Sequence, residues 1–169
     1  MTRIIPAGPA HFATMSAIHA ASWRSAYRGL VPQSHLDSIT DDAWIPNFAK
    51  GYAEGSRGYR LITVDDRPVG CASFGSPRDA DTPEGWGEIY SIYMLPGEAG
   101  KGYGRLLMQA VLDALRGEGH VGSYLFCLDG NIASHRFYER CGFTHEPSGD
   151  KQFELAGRML TTVRFDRLL

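Results

Sequence analysis

Between Glu88 and Leu115 the chain reads EIYSIYMLPGEAGKGYGRLLMQAVLDAL, and this stretch restricts the fold more than any other. Glu88 to Leu95 is rich in β-branched and aromatic residues and predicts a strand. Leu106 to Leu115 predicts an amphipathic helix, with Leu107, Val111, Ala114 and Leu115 turned to one side. Between them stand Gly100, Lys101, Gly102, Tyr103, Gly104 and Arg105. Glycines let a backbone turn tightly and approach a ligand with no Cβ in the way. The first amides of the following helix lack intrahelical acceptors and point outward, an arrangement suited to phosphate. Lys101 and Arg105 add positive charge. The plain alternative is a helix-initiating loop. Two nucleotide loops are excluded by spacing: a GxGxxG fingerprint starting at Gly100 would need glycine where Arg105 stands, and a Walker A loop would need Ser or Thr where Gly102 follows Lys101.

The rest of the chain frames this turn. At 169 residues, one domain of about 100–200 residues is expected. Seventeen Lys and Arg against nineteen Asp and Glu leave a net charge of −2, which argues against a dedicated binder of nucleic acid or of anionic membrane. Cys71, Cys127 and Cys141 form no CxxC, so neither a disulfide scaffold nor a cysteine zinc site is expected. The six histidines show no HExxH or HxH spacing, and no metal is expected. No apolar run approaches the ~18 residues of a membrane span, and Met1 to Pro9 carries no apolar leader core. The expectation is a cytoplasmic enzyme or binding module.

Elements follow from pattern. Ile4–Ile5 predicts a short strand, and Pro9 opens a helix bearing Phe12, Met15, Ile18 and Trp23. A second helix is expected from the N-cap pair Asp41–Asp42 to Lys50. Tyr59–Val64 and Val69–Phe74 predict a hairpin around Asp65-Asp66-Arg67-Pro68. After the glycine turn come a strand at Tyr124–Leu128, a short helix at Ala133–Cys141 stopped by Gly142, and one or two strands from Phe153 to Leu168. The β-loop-α-β-α run of the second half requires at least one parallel crossover. The expected fold is α/β, a single domain with a mixed, mostly antiparallel sheet flanked by helices. Residues 1–57 would form substrate-side helices, 58–128 the core sheet with the glycine loop, and 129–169 a C-terminal helix and strands.

A strand ending in Ile92-Tyr93-Met94-Leu95-Pro96, with a GxGxG before a helix, resembles the acetyl-CoA pyrophosphate loop of the GNAT N-acetyltransferase superfamily. Asn131-Ile132-Ala133-Ser134-His135-Arg136-Phe137-Tyr138-Glu139-Arg140-Cys141-Gly142-Phe143 resembles its N-x-x-[AS]-x-x-[FL]-Y-x-x-x-G-F signature. The two motifs together are specific and span about residues 88–143. One departure is Ala99, where the family usually places Gln or Arg. Ser22–Pro32 (SWRSAYRGLVP) is similar to a segment of small-molecule members, including polyamine-acetylating, PaiA-like ones.

The resemblance implies an acyl-CoA N-acyltransferase fold and transfer of acetyl from acetyl-CoA to the primary amine of a small molecule, with CoA as product. Gly100, Lys101, Gly102, Tyr103, Gly104 and Arg105 would hold the diphosphate. Ile92, Tyr93 and Met94 would pair with pantetheine by backbone, Met94 N–H receiving the oxyanion, and Asn131 would bond the pantetheine arm or cap its helix. Glu88 matches the base of histone-acetyltransferase-like members, and Tyr138 would protonate the leaving thiolate. Strand alternation puts Glu88, Tyr90, Ile92 and Met94 on one face. Trp23 and Tyr27, four apart on a helix, would line an acceptor pocket with Tyr90 and hold a cation by its charge, or else belong to the core. Cys127 and Cys141 read as buried structural thiols rather than nucleophiles. Two other readings stay open: an acetyltransferase acting on a protein N-terminus or lysine, and a non-catalytic CoA-binding module. Homodimers are common in the superfamily, and the C-terminal strands are where an interface would form.

Overall fold

A computed structural model describes residues 1–169. The chain runs β1 (Thr2–Pro6), α1 (Phe12–Ala26), α2 (Gln33–Ser38), α3 (Ile45–Ala53), β2 (Arg57–Val64), β3 (Arg67–Gly75), β4 (Trp86–Met94), α4 (Tyr103–Gly117), β5 (Gly122–Leu128), α5 (Ile132–Arg140), β6 (Thr144–His145), β7 (Lys151–Leu155) and β8 (Arg158–Leu168). All eight strands join one sheet in the order β1-β2-β3-β4-β5-β8-β6, with β7 on β8. Every pairing is antiparallel except β4 with β5. That parallel step is the crossover required by the strand–loop–helix–strand order, with α4 as its connection.

Alternation along the strands sorts side chains onto two helical layers. Leu61 and Cys71 pack with Phe12, Met15 and Ile18 of α1 and Phe48 of α3. Their neighbours Ile62 and Ala72 face the other way, onto Leu107, Val111, Leu112 and Leu115 of α4. The mixed, mostly antiparallel α/β fold is therefore present, with helices on both faces.

Local differences from the sequence expectation have physical causes. The β2–β3 turn is two residues long, not four, because Asp65 (φ 49°) and Asp66 (φ 62°) both take the left-handed conformation that matches hairpin twist. Pro68 thus lies inside β3, beside a register shift at Ile62/Thr63 where its missing N–H costs no regular ladder bond. The helix expected from Asp41 begins at Ile45 with Pro46 in its first turn and runs through Gly51. Gly51 is there because the Arg57 side chain lies across it, where a Cβ would collide. Helix α2 buries only Leu36, too weak a pattern to read from sequence.

One irregularity positions the site. Ser73 pairs with Ser91 but Phe74 pairs with Ile89, so Tyr90 is an extra residue, a β-bulge in β4. The bulge reverses the alternation. Ile89, Ile92 and Met94 all pack toward α4. Glu88 faces the opposite side with its cross-strand partner Tyr124. The expected common face of Glu88, Tyr90, Ile92 and Met94 does not exist.

Candidate active site

Strands β4 and β5 pair only from Trp86–Gly122 to Ile89–Leu125, then part. A cavity of about 610 Å³ opens in the gap, running from the glycine turn to the bulge. Its walls come from α1, β4, the turn, β5 and α5.

At one end the backbone does the work. Gly100 (φ 80°) and Gly102 (φ 85°) hold left-handed conformations with open space where a Cβ would stand. Gly102 is the N-cap of α4. The amides from Ala99 to Gly104 donate to no carbonyl of the chain, the first internal bond being Arg105 N–H to Gly102 O at 3.1 Å. They form a cradle of free donors at a helix N-terminus, suited to an anion. Glu98 lies under this turn, buried, accepting from Arg67 at 2.7 Å and Lys101 at 3.0 Å. Those two cations hold its carboxyl below the usual glutamate range. Lys101 is thus turned back onto the loop and does not line the cavity, and neither does Tyr103, whose ring packs against the α4 core. Arg105 lines it, and so does Arg140 of α5, which the sequence reading passed over. Both are exposed and form no ion pair.

Along the gap, Leu95 N–H is donated to Val69 O of β3. Alternate residues Met94 and Ile92 therefore direct their backbone groups toward the space that β5 vacates. Met94 O is already taken by Ser22 Oγ at 2.8 Å, which leaves its N–H. Asn131 lines the cavity and also caps α5, its Oδ1 accepting from Ser134 N at 3.4 Å.

Tyr138 comes from α5 into the middle of the cleft. It is 9% exposed, and its hydroxyl makes no hydrogen bond within the protein. Burial, reinforced by Cys127, Tyr93 and Cys141, pushes this phenol well above its ordinary value, so it stays protonated. Tyr27 and Tyr93 share a hydrogen bond of 3.0 Å, and Trp23 Nε1 donates to Tyr93 at 3.1 Å. Tyr27 lines the cavity. Trp23 does not: its ring packs on Tyr27, His35 and Trp44 and orients Tyr93 from behind. Cys127 lines the cavity, but burial raises its thiol to about 12, which removes the thiolate a nucleophile needs.

Glu88 is 1% exposed and outside the cavity wall. Its oxygens accept from Arg78 Nε at 3.1 Å, Arg78 Nη2 at 2.5 Å, the Arg78 amide at 2.9 Å and Tyr124 Oη at 2.9 Å. A carboxylate so engaged has no lone pair facing an acceptor, and the sequence expectation of a base at this position is corrected: Glu88 anchors the loop after β3 to the start of β4. Tyr90 does line the cavity, its hydroxyl donating to Ser76 O and its ring lying 4.7 Å from the guanidinium carbons of both Arg57 and Arg78. No cluster of His, Cys, Asp and Glu is placed to hold a metal ion. No helix is long and apolar enough to cross a membrane.

Residues 16–143 match the model of the acetyltransferase (GNAT) family. The uncharacterized N-acetyltransferase YuaI of Bacillus subtilis (strain 168) is 29% identical over 156 residues, covering 88% of this chain and 83% of YuaI. The fold is shared with the PaiA N-acetyltransferase of Thermoplasma acidophilum, solved with coenzyme A, at a TM-score of 0.75 and 14% identity over 100% of this chain and 99% of that one. It is shared also with yncA of Salmonella typhimurium, solved with acetyl-CoA, at a TM-score of 0.76 and 22% identity over 99% and 94%.

Proposed function

The chain belongs to the acetyltransferase (GNAT) family, and from that premise we propose that it moves acetyl from acetyl-CoA onto a primary amine of a small molecule, the amine attacking the thioester directly while both are bound. The free amides of Ala99 to Gly104, with Arg105 and Arg140 beside them, would take the diphosphate end of the cofactor. The Ile92–Met94 edge would pair with pantetheine as a strand partner does. The neutral amine attacks the carbonyl carbon, and Met94 N–H receives the oxyanion. The carbon–sulfur bond then breaks, and the sulfur takes its proton from Tyr138 Oη. The ammonium proton leaves through water and restores the phenol. The products are the amide and CoA thiol.

The observation that carries this reading is Tyr138. A buried, protonated hydroxyl without a protein partner, placed in the gap between β4 and β5, is suited to an acid for a leaving group. The cavity supplies no free carboxylate or imidazole, since its one acidic side chain, Glu98, is paired twice. Deprotonation of the amine is therefore assigned to solvent. The test is initial-rate thiol release with both substrates varied. Intersecting reciprocal plots are expected, and parallel plots would replace direct attack by an acetyl-enzyme.

A further inference from the structure

We propose that the acceptor is a monoamine with an uncharged, apolar body, and that Tyr27, Tyr90, Tyr93 and Phe126 form the wall that selects it. The inference rests on the acetyltransferase reading and names the substrate class of that site.

The cavity lies where the sheet parts, so its lining divides between the two helical layers. Ile92, Met94 and Tyr138 belong to the α4 side. Alternation turns Tyr93 into the layer of α1 and α3, and Phe126, between Leu125 and Cys127 of the α4 layer, faces the same way. Tyr27 reaches that side from α1, its hydroxyl 3.0 Å from that of Tyr93. A cofactor held by its diphosphate at the start of α4 enters from the first side. The second is left to the acceptor.

The two sides differ in charge. Among the side chains that line the cavity, only Glu98, Arg105 and Arg140 are ionised at neutral pH. All three belong to the turn end: Glu98 is paired with Lys101 of the turn, and Arg140 joins Arg105 beside Cys141. Toward α1 the wall is ring and hydroxyl. Ser91, which also lines it, shares a hydrogen bond of 2.6 Å with Ser73.

The nearest cations stand outside this wall and are engaged there. The guanidinium carbons of Arg57 and Arg78 both lie 4.7 Å from the Tyr90 ring, and Lys151 Nζ lies 5.1 Å from the Phe126 ring. Arg78 is paired with Glu88, Lys151 with Asp79, and Arg57 donates to Asn47. A ring that already faces a cation holds a second one poorly, because the two cations repel. A second ammonium on the acceptor would therefore meet rings already taken and no carboxylate. Trp23, the aromatic expected to hold a cation, is off the wall. A carboxylate on the acceptor would meet no cation on the wall. Either charge would be desolvated without a partner. An apolar body meets no such penalty and gains the contact of the rings.

The experiment measures thiol release from acetyl-CoA with two matched sets: 2-phenylethylamine, phenylalaninamide and phenylalanine; and pentylamine with 1,5-diaminopentane. Rates are expressed per neutral amine, so that basicity does not enter the comparison. For the wild-type protein, kcat/KM is expected to be about tenfold or more higher for 2-phenylethylamine than for phenylalanine, and for pentylamine than for the diamine. Phenylalaninamide, shaped like phenylalanine but with an uncharged body, should exceed it as well. Equal or better use of the acid or the diamine would overturn the proposal while leaving the acetyltransferase reading intact. This arm needs no variant to fold. Phe126→Ala should narrow the advantage of 2-phenylethylamine over ethylamine by about tenfold; an unchanged advantage would overturn the assignment of the wall. Absence of turnover with every amine would count against the acetyltransferase reading, and binding then decides the proposal. N-(2-phenylethyl)acetamide, N-acetylphenylalanine and N-acetyl-1,5-diaminopentane are titrated into CoA-saturated protein. Binding of the first about tenfold or more tighter than of either charged amide supports the proposal. Binding of none, or equal binding of a charged one, overturns it.

Discussion

The two ends of the cleft are built from different materials. The glycine-turn end is backbone: free amides at the start of α4, shaped by left-handed glycines, with side chains in support. The other end is side chain: Tyr27, Tyr90 and Tyr138 line it from α1, β4 and α5, with Arg57 and Arg78 behind Tyr90. A backbone site needs only a few neighbouring residues of permissive type. A side-chain site needs a whole fold to bring distant positions together. The first end can therefore serve one invariant group of a cofactor, while the second is free to differ in what it accepts.

Substitutions can separate the two ends. The largest effect is expected from Tyr138→Phe, which removes one oxygen: kcat should fall about 100-fold or more, with little change in acetyl-CoA affinity by titration. An unchanged kcat would remove the acid from the mechanism. Next comes Glu88→Gln, which keeps volume but removes the charge facing Arg78. Arg78 is more than half exposed, so the loss is about 2 kcal/mol, below the 3–5 of a fully buried pair. That lowers Tm by roughly 4–8 °C. With Glu88 as an anchor, kcat/KM of both proteins should climb with pH until the amine's own pKa; a plateau at neutral pH present only with Glu88 would restore it as a base.

An effect that shows only as the pH falls lies behind the cleft. His19 of α1 is 3% exposed, has no hydrogen-bond partner on either ring nitrogen and sits among Trp44, Phe48 and Tyr93. Burial lowers its pKa to about 3. The folded protein keeps this ring neutral while the unfolded chain protonates it below about 6.5. Its contribution to stability is thus complete above pH 6.5 and is lost as pH falls toward 3, by up to about 1.4 kcal/mol per pH unit. Denaturant midpoints of His19→Phe across this range should lack that part of the slope. The smallest expected change is Asn131→Ala, which removes the α5 cap for about 1 kcal/mol. A loss of acetyl-CoA affinity beyond that would show that Asn131 also touches the cofactor.

Legibility in the sequence followed the same division. The turn at Gly100–Gly104, the α4 stripe and the crossover were readable because each is a local pattern with its own physical cause. So was Tyr138, through the contiguous residues around it. Glu88 was misplaced because one extra residue, Tyr90, shifts the strand's alternation, and a bulge leaves no mark in composition. Lys101 looked like a phosphate ligand until Glu98, three residues away, proved to be its partner. Arg140 and Arg57 carried no motif. Their positions depend on the packing of α5 against α4 and of α3 against β2. Trp23 had the right spacing beside Tyr27 but lies one layer behind the wall. Gly51, just past the expected helix end at Lys50, lies inside α3 beneath the Arg57 side chain.

The central claim is that backbone amides at the glycine turn hold acetyl-CoA. Calorimetric titration of the wild-type protein and of Gly102→Ala with acetyl-CoA tests it most directly. Nothing in the protein would touch the new methyl group, so its effects are confined to the left-handed backbone, strained by about 1–2 kcal/mol, and to the cradle itself. Saturable one-site binding, weakened about tenfold or more by Gly102→Ala in protein that remains folded, is the predicted result. Absence of binding by the wild-type protein, or equal binding by both, would contradict the account.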